Sequence, residues 1–274
     1  MIARSLVLVS LLLIACGCTR GGAAKAAPAE TRVQEVKFDH SLFGRTRRVW
    51  VMTPAARTDS AGLLVVFDGP QYLDEIPLAP ILDSLTAAGR WAPTVAVLVD
   101  NGTGPTRIED LGNRTAFAAW LADELVPWAR ATYHLSHDPH KTAAYGSSAG
   151  GLAAAFVTFR RPDTFGVAIS QSGAFWRNGE SAGPPPWEWL TARVAEASRQ
   201  DVRFVLDVGA LETKGTLGGR GPSILDANRR LRDALQAKGY PLTYFEVAGG
   251  THSPESWRER LPRLLAAAHQ SAAP

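Results

Sequence analysis

The sequence predicts an α/β fold, a mostly parallel central sheet flanked by helices on both faces. Three observations predict it. From Leu63 onward, short β-rich runs alternate with amphipathic stretches, the order that strands joined by crossover helices produce. The run Leu63-Leu64-Val65-Val66-Phe67 is apolar without a break, as a strand covered on both faces must be. Mid-chain, Gly146-Ser147-Ser148-Ala149-Gly150 separates a short apolar strand from a helical stretch and marks a tight strand-to-helix turn.

Taken in order, the chain opens with a segment that does not belong to this domain. Residues 1–15 read as an export signal, with Arg4 as the positive end and Leu6 to Ile14 as a short apolar run. That run is too short to span a bilayer as a stable anchor. It ends in Leu13-Ile14-Ala15-Cys16, which resembles a bacterial lipobox, so Cys16 is expected to carry lipid and become the new N-terminus. The other reading is a plain cleaved signal peptide. Residues 16–31 then form a lipidated start and a flexible Ala/Gly-rich tether, and residues 32–274 the α/β domain. The expected location is an exported bacterial lipoprotein, held on the periplasmic or extracellular side by its N-terminal lipid alone. Cys16 and Cys18 are the only cysteines, so the domain holds no disulfide, thiol nucleophile or cysteine metal site.

Within the domain, Arg32 to Asp39 and Arg47 to Met52 read as an antiparallel pair of strands. Buried strands follow at Leu63 to Phe67 and Thr94 to Val99, with a helix at Pro77 to Ala88 between them. Asn113 to Tyr133 carries Phe117, Trp120, Leu121, Leu125 and Trp128 at helical spacing, which makes Trp120 and Trp128 core residues. Strand Lys141 to Tyr145, helix Ala149 to Arg160 and strand Phe165 to Ser170 surround the Gly146 turn. Strand Arg203 to Val208, helix Ser223 to Lys238, strand Leu242 to Val247 and helix Pro254 to Ala268 complete the order. A net charge of +3, with no Lys/Arg run interleaved with aromatics, gives no reason to expect nucleic acid as a partner.

The Gly146–Gly150 turn fits G-x-S-x-G. Small neighbours let the Ser148 hydroxyl project from the top of the sheet, and the Ala149 N–H lies at a helix N-terminus where an oxyanion is stabilised. Ser147 reads as a small filler. A serine needs a base, and in this fold the chain order is Ser, acid, His. Of the two downstream histidines, His269 sits at the solvent-facing end of the last helix. His252 follows a parallel strand in a tight Gly-rich loop and is the expected base. Glu212, just past the preceding strand, is the expected acid, ahead of Asp207 inside that strand and Asp226 at a helix start. A Ser-His dyad stays open. The second oxyanion donor should come from Asp68-Gly69-Pro70-Gln71. Pro70 has no N–H, so Gln71 is favoured and Gly69 is the alternative. The cluster His134, His137, His140 lies in a connector broken by Pro139, and no metal or other cofactor is expected there.

With these residues in place, the chain resembles the enterochelin (enterobactin) esterase family, in the esterase-D-like branch of the α/β-hydrolases. The likeness runs from Leu63 to Gln71 through Arg107 to Leu111, Glu124 to Trp128 and Gly146 to Gly151. It continues through Ser170-Gln171-Ser172-Gly173 with Trp176, then Gly209 to Glu212, and ends with Gly249 to His252 and Trp257. Well-known members carry an extra N-terminal domain where this chain has a signal, a tether and a strand pair, and Trp176-Arg177 stands where they often show paired tryptophans. The resemblance implies a serine esterase acting on the ester bonds of a catecholate siderophore, ferric or apo, as trilactone or linear ester. Arg107, Trp176, Arg177 and the segment from Pro184 to Trp189 would supply a cationic, aromatic wall for it. The alternatives within the fold are a feruloyl- or acetyl-type carbohydrate esterase and an acyltransferase. From another class comes a binding lipoprotein without catalysis.

Overall fold

A computed structural model describes residues 30–55, 60–178 and 187–270. The export signal, Cys16, most of the tether and Pro184 to Pro186 lie outside the described residues.

Eight strands form one sheet in the order β1-β2-β4-β3-β5-β6-β7-β8. Strands β1 (Arg32–Val36) and β2 (Val49–Thr53) pair antiparallel, and β2 lies antiparallel to β4 (Thr94–Val99). From β4 inward all pairings are parallel: β3 (Gly62–Phe67), β5 (Thr142–Ser147), β6 (Val167–Gln171), β7 (Arg203–Gly209) and β8 (Leu242–Val247). The expected fold class is borne out. Side chains alternate across each strand, so Leu63, Val65 and Phe67 enter one core while Leu64 and Val66 enter the other.

The first core is covered by α3 (Gly104–Leu111), α4 (Thr115–Trp120), α5 (Val126–Tyr133), α6 (Ala149–Arg160), α7 (Trp189–Glu196) and α9 (Ile224–Ala237), with α8 (Thr216–Gly219) a single irregular turn before α9. The second is covered by α1 (Gly69–Asp74), α2 (Leu78–Ala87) and α10 (Pro254–Gln270). Trp120 is buried in the first core, and Trp128 packs half-buried against it.

Some elements differ from expectation. Asp68 to Gln71 opens α1 instead of forming a loop, because Pro70 falls in the first turn, where a missing N–H costs nothing. The long amphipathic stretch is broken by a π-helical turn at Leu121–Leu125. Pro127 lies two residues beyond it; its ring nitrogen cannot donate to the carbonyl four residues back, and the chain widens there. His269 is half-buried and packs its ring 6.3 Å from that of Trp91, so it is not the solvent-facing residue expected. The N-cap of α9 is Ser223, whose hydroxyl accepts from the Asp226 N–H. Asp226 is a first-turn residue of that helix.

Candidate active site

The Gly146–Gly150 turn is as tight as the sequence implies. Ser148 has φ 56° and ψ −117°, a left-handed conformation rarely held by a side-chain-bearing residue. A Cβ on Gly146 would come within 2.6–2.8 Å of the Gly150 backbone, so this crossing admits only glycine there. The strained turn is held from both sides. The Ser148 N–H donates to the Gln171 carbonyl at 2.9 Å, and the Ser148 carbonyl accepts from the Ala174 N–H at 2.9 Å. Ala149 is the first residue of α6, so its N–H has no acceptor within the helix.

His252 reaches this turn from the loop after β8, and Glu212 from the turn after β7. Gly209 and Gly250 allow the two to meet: a Cβ on Gly209 would stand 2.3 Å from the Gly250 carbonyl. That close approach lets the Leu211 N–H donate to the Gly250 carbonyl at 3.1 Å. His252 Nε2 lies 3.0 Å from Ser148 Oγ, and His252 Nδ1 lies 2.6 Å from Glu212 Oε2. A carboxylate has no proton to give. Nδ1 therefore carries the ring hydrogen, and Nε2 is left to accept the Ser148 proton. Burial pushes the Glu212 carboxyl up, but hydrogen bonds from His252 and Ser172 outweigh it and hold the group below the usual glutamate range.

Residues not read from the sequence fix that carboxylate. Ser172 Oγ accepts from Trp257 Nε1 at 3.0 Å and from Arg260 Nη2 at 3.1 Å. With both lone pairs engaged, its one proton goes to Glu212 Oε1 at 2.6 Å. The Gly209 N–H donates to the same oxygen at 2.8 Å, so Oε2 is left for His252. Arg260 is anchored in turn by Asp207, whose Oδ1 is 3.3 Å from Nη1. Asp207 is fully buried, which raises its pKa to about 6 against the pull of Arg260. The Ser170–Gly173 block signalled this region, but nothing in the spacing showed which serine mattered.

On the other wall, the Gln71 N–H donates to the Asp68 carbonyl at 2.9 Å. The Gln71 side chain lines the cleft beside Ser148, Pro70, Arg107 and Trp257. Ser147 is no mere filler. Its hydroxyl accepts from Tyr72 Oη at 3.2 Å and donates to Gln71 Oε1 at 3.4 Å, which turns the amide Nε2 the other way. Arg107 reaches the cleft with its guanidinium paired to Asp68 through two bonds of 2.6 and 2.8 Å. Arg177 lies over the Trp176 ring at 5.2 Å. Burial and the nearby charge of Arg107 hold its guanidinium below the usual arginine value, so two cations share this side of the molecule. His140 Nε2 lies 3.2 Å from Asp201, and among the described residues no cluster of His, Cys, Asp or Glu could hold a metal ion.

A parallel sheet with a serine on a strained turn, and a Ser, Glu, His order along the chain, defines an α/β-hydrolase. Comparison narrows this. The Esterase family profile matches residues 40–268, and the chain belongs to that family. Its sequence is 31% identical over 249 residues to the iron(III) enterobactin esterase of Dickeya dadantii, covering 84% of this chain and 53% of that protein. It is 32% identical to that of Escherichia coli K12, covering 86% of this chain and 57% of the other. The chain thus spans about half the length of the curated relatives it matches. Among solved structures, the enterobactin esterase of Shigella flexneri in the presence of enterobactin superposes with a TM-score of 0.76 at 26% identity. That match covers 87% of this chain and 59% of the other.

Proposed function

We propose that the protein is a serine carboxylic-ester hydrolase that cleaves ester bonds of a catecholate siderophore, an enterobactin-like trilactone or its linear esters. The observation that carries the hydrolase reading is the unbroken relay of Ser148, His252 and Glu212 at 3.0 and 2.6 Å. Ser148 Oγ attacks the ester carbonyl as His252 Nε2 takes its proton, and Glu212 stabilises the imidazolium. The oxyanion rests on the Ala149 N–H and on Gln71. Because the Gln71 N–H is turned to Asp68, its contribution comes through the side-chain Nε2. His252 then protonates the leaving alcohol, water attacks the acyl-enzyme, and the acid is released.

The siderophore reading rests on the relatives named for enterobactin and on cationic and aromatic residues on the Arg107 side of the cleft. A catecholate ester is aromatic and anionic, and Arg177 stacked on Trp176, with Arg107 nearby, presents cationic and aromatic surface. A feruloyl-type carbohydrate esterase is the second reading. It is favoured by a 31% match over 112 residues to an endo-1,4-beta-xylanase/feruloyl esterase of Xylanibacter ruminicola, 40% of this chain.

Turnover of enterobactin, a linear dihydroxybenzoyl-serine ester, feruloyl sugars and p-nitrophenyl acetate by wild type and Ser148→Ala tests both. Catecholate hydrolysis lost in the variant supports the first reading. Turnover of feruloyl sugars alone selects the second. Labelling by a fluorophosphonate that fails although the protein is folded would overturn catalysis altogether.

We further propose that the chain is exported and anchored through lipid on Cys16, on the strength of the Leu13–Cys16 block and the apolar run before it. Mass spectrometry of the mature N-terminus decides this, since a lipid-free start elsewhere would refute the anchor.

A further inference from the structure

The Ser148 cleft opens at the carboxyl ends of the parallel strands. A second cavity, of about 510 Å³, lies at their amino ends, where nothing in the proposed chemistry reaches. The six-residue length of β5 separates the two, roughly 20 Å at the usual strand rise. The volume lies in the range of small-molecule sites. Its walls are mostly apolar: Leu63, Ala143, Val167 and Ile169 from the sheet, Ala268 from the last turn of α10, and Trp91.

One charged group stands among them. Arg203, the first residue of β7, lines the cavity and is only half-exposed. Among the described residues its side chain has no ion-pair or hydrogen-bond partner, and its Nη1 is shut off from solvent. Burial holds its guanidinium below the usual arginine value, and no carboxylate offsets this. Trp91 Nε1, in the same wall, is a second buried donor without an acceptor. Arg47, Arg107 and Arg260 leave solvent against a carboxylate, that of Asp110, Asp68 and Asp207 in turn. Arg177, without one, lies on the Trp176 ring, and Arg130 donates to Thr142 Oγ1 and the Thr164 carbonyl. Partly desolvating a cation with no counter-charge is costly, and an acceptor arriving from outside recovers that cost.

We infer that this cavity binds a small amphiphilic monoanion, an aromatic or branched carboxylate whose head group pairs with Arg203 and whose body packs on Leu63, Ala143 and Ile169. The guanidinium fork matches a carboxylate with two parallel bonds. A single charge fits because, among the described lining residues, Arg203 is the one permanently charged group that is half-buried, with His269 the one half-buried histidine. Lys141 and His140 stand exposed at the rim, and the Asp138 carboxylate there repels a second negative charge. The apolar walls select a ligand with a hydrocarbon body over inorganic phosphate or sulfate.

The test is calorimetric titration of the full chain with 2-naphthoate, with sodium phosphate as the comparison anion. Wild type is expected to bind naphthoate saturably at one site and phosphate not at all. Arg203→Met, which keeps length and removes charge, should weaken naphthoate binding at least tenfold. Ala143→Leu, which fills the cavity and keeps the charge, should do the same. Both should hydrolyse p-nitrophenyl acetate within twofold of wild type, because neither residue touches the cleft. Absence of saturable binding in wild type overturns the inference, and so does naphthoate affinity unchanged in Arg203→Met. Naphthoate acting as a competitive inhibitor of ester turnover, with affinity insensitive to Arg203, would place it in the Ser148 cleft instead.

Discussion

The two ends of one parallel sheet are built on opposite terms. Beyond the carboxyl ends, Ser172, Glu212, Trp257, Arg260 and Asp207 form one connected set of hydrogen bonds and ion pairs. There Arg260 Nη1 and Asp207 Oδ1 make no hydrogen bond but face each other's charge at 3.3 Å. At the amino ends, Arg203 and Trp91 line a cavity, and each has a buried nitrogen with neither acceptor nor counter-charge among the described residues. A connected polar network fixes the direction of each member, so a reacting geometry stands ready before substrate arrives. A donor left unmet beside an apolar hollow holds nothing in place, and it is free to interact with whatever enters. The same strands therefore carry a pre-organised site at one end and a receptive one at the other.

The comparison is broken most severely at the cleft. Gln71→Ala removes a side chain whose amide is oriented by Ser147 and Tyr72. If that amide donates to the oxyanion, kcat falls about 10²- to 10³-fold while KM changes little, as for other side-chain oxyanion donors. Gln71→Glu, isosteric but with acceptors only, should lose as much. A kcat within threefold of wild type in both variants would transfer the role to the Gly69 backbone, the alternative left open by the sequence.

The end of β7 offers a finer contrast between two buried carboxylates. Glu212 meets hydrogens from His252, Ser172 and Gly209, and its carboxyl lies below the ordinary range; Asp207 is raised by burial to about 6. The sign for Asp207 follows from linkage. A folded-state value above the unfolded one means that the native state binds the proton more tightly, so stability falls as pH rises from about 3.8 to about 6, then levels. At about 1.4 kcal/mol per unit, the fall is on the order of 3 kcal/mol at most. Glu212 acts the other way, adding stability that is lost as pH drops through its depressed value. Asp207→Asn keeps Glu212, so that part cancels in a comparison. Urea unfolding at pH 4, 5, 6 and 7 should show the variant gaining on wild type through pH 6 and no further. A difference that is constant with pH would remove Asp207 as the titrating group.

How much of this was legible depended on whether the signal was local. The strands at Leu63 and Thr94 and the helix at Ala149 could be bounded closely, because burial on both faces leaves an apolar run and a tight turn demands small residues. Ser148, His252 and Glu212 could be ordered along the chain because each follows the end of a strand. Asp207, Arg260, Trp257 and Ser172 could not be joined. They meet only through the register of β6 with β7 and the path of α10 across the sheet, neither of which leaves a pattern in neighbouring residues. The cavity at Arg203 was invisible for the same reason, since its lining comes from the starts of several strands.

Ser172 lets the positioning role be measured apart from the chemistry. Its φ of 47° makes it a strained residue, and its hydroxyl bridges Trp257 and Arg260 to Glu212, beside a direct ion pair of 3.8 Å between Arg260 Nη2 and Glu212 Oε1. Ser172→Ala leaves the Gly209 bond to Glu212 in place, so the carboxylate loses one of its fixed donors and not its site. The expected loss is about tenfold in kcat, near the value of one charge-assisted hydrogen bond. The acid limb of the kcat profile should move as well, because Glu212 is then less well held in its charged form. Ser172→Cys, which keeps a weak donor and adds no β-branch at this positive φ, should recover part of the rate. A drop in rate with an unmoved pH profile would mean that Ser172 serves packing alone.

The smallest effect belongs to the opposite end. Replacing Arg203 by Met takes away a half-buried cation with no partner and adds an apolar side chain to an apolar wall. Truncating one member of a buried ion pair usually costs several kcal/mol, because the other charge is stranded. Here nothing is stranded. The variant should be slightly more stable than wild type, by about 1 kcal/mol after allowance for the part of the guanidinium that solvent already screens. Urea midpoints without ligand measure this, and saturating naphthoate should reverse the order by stabilising wild type alone. A variant less stable than wild type in the absence of ligand would mean that Arg203 already has its partner within the chain, and the two ends of the sheet would then be alike.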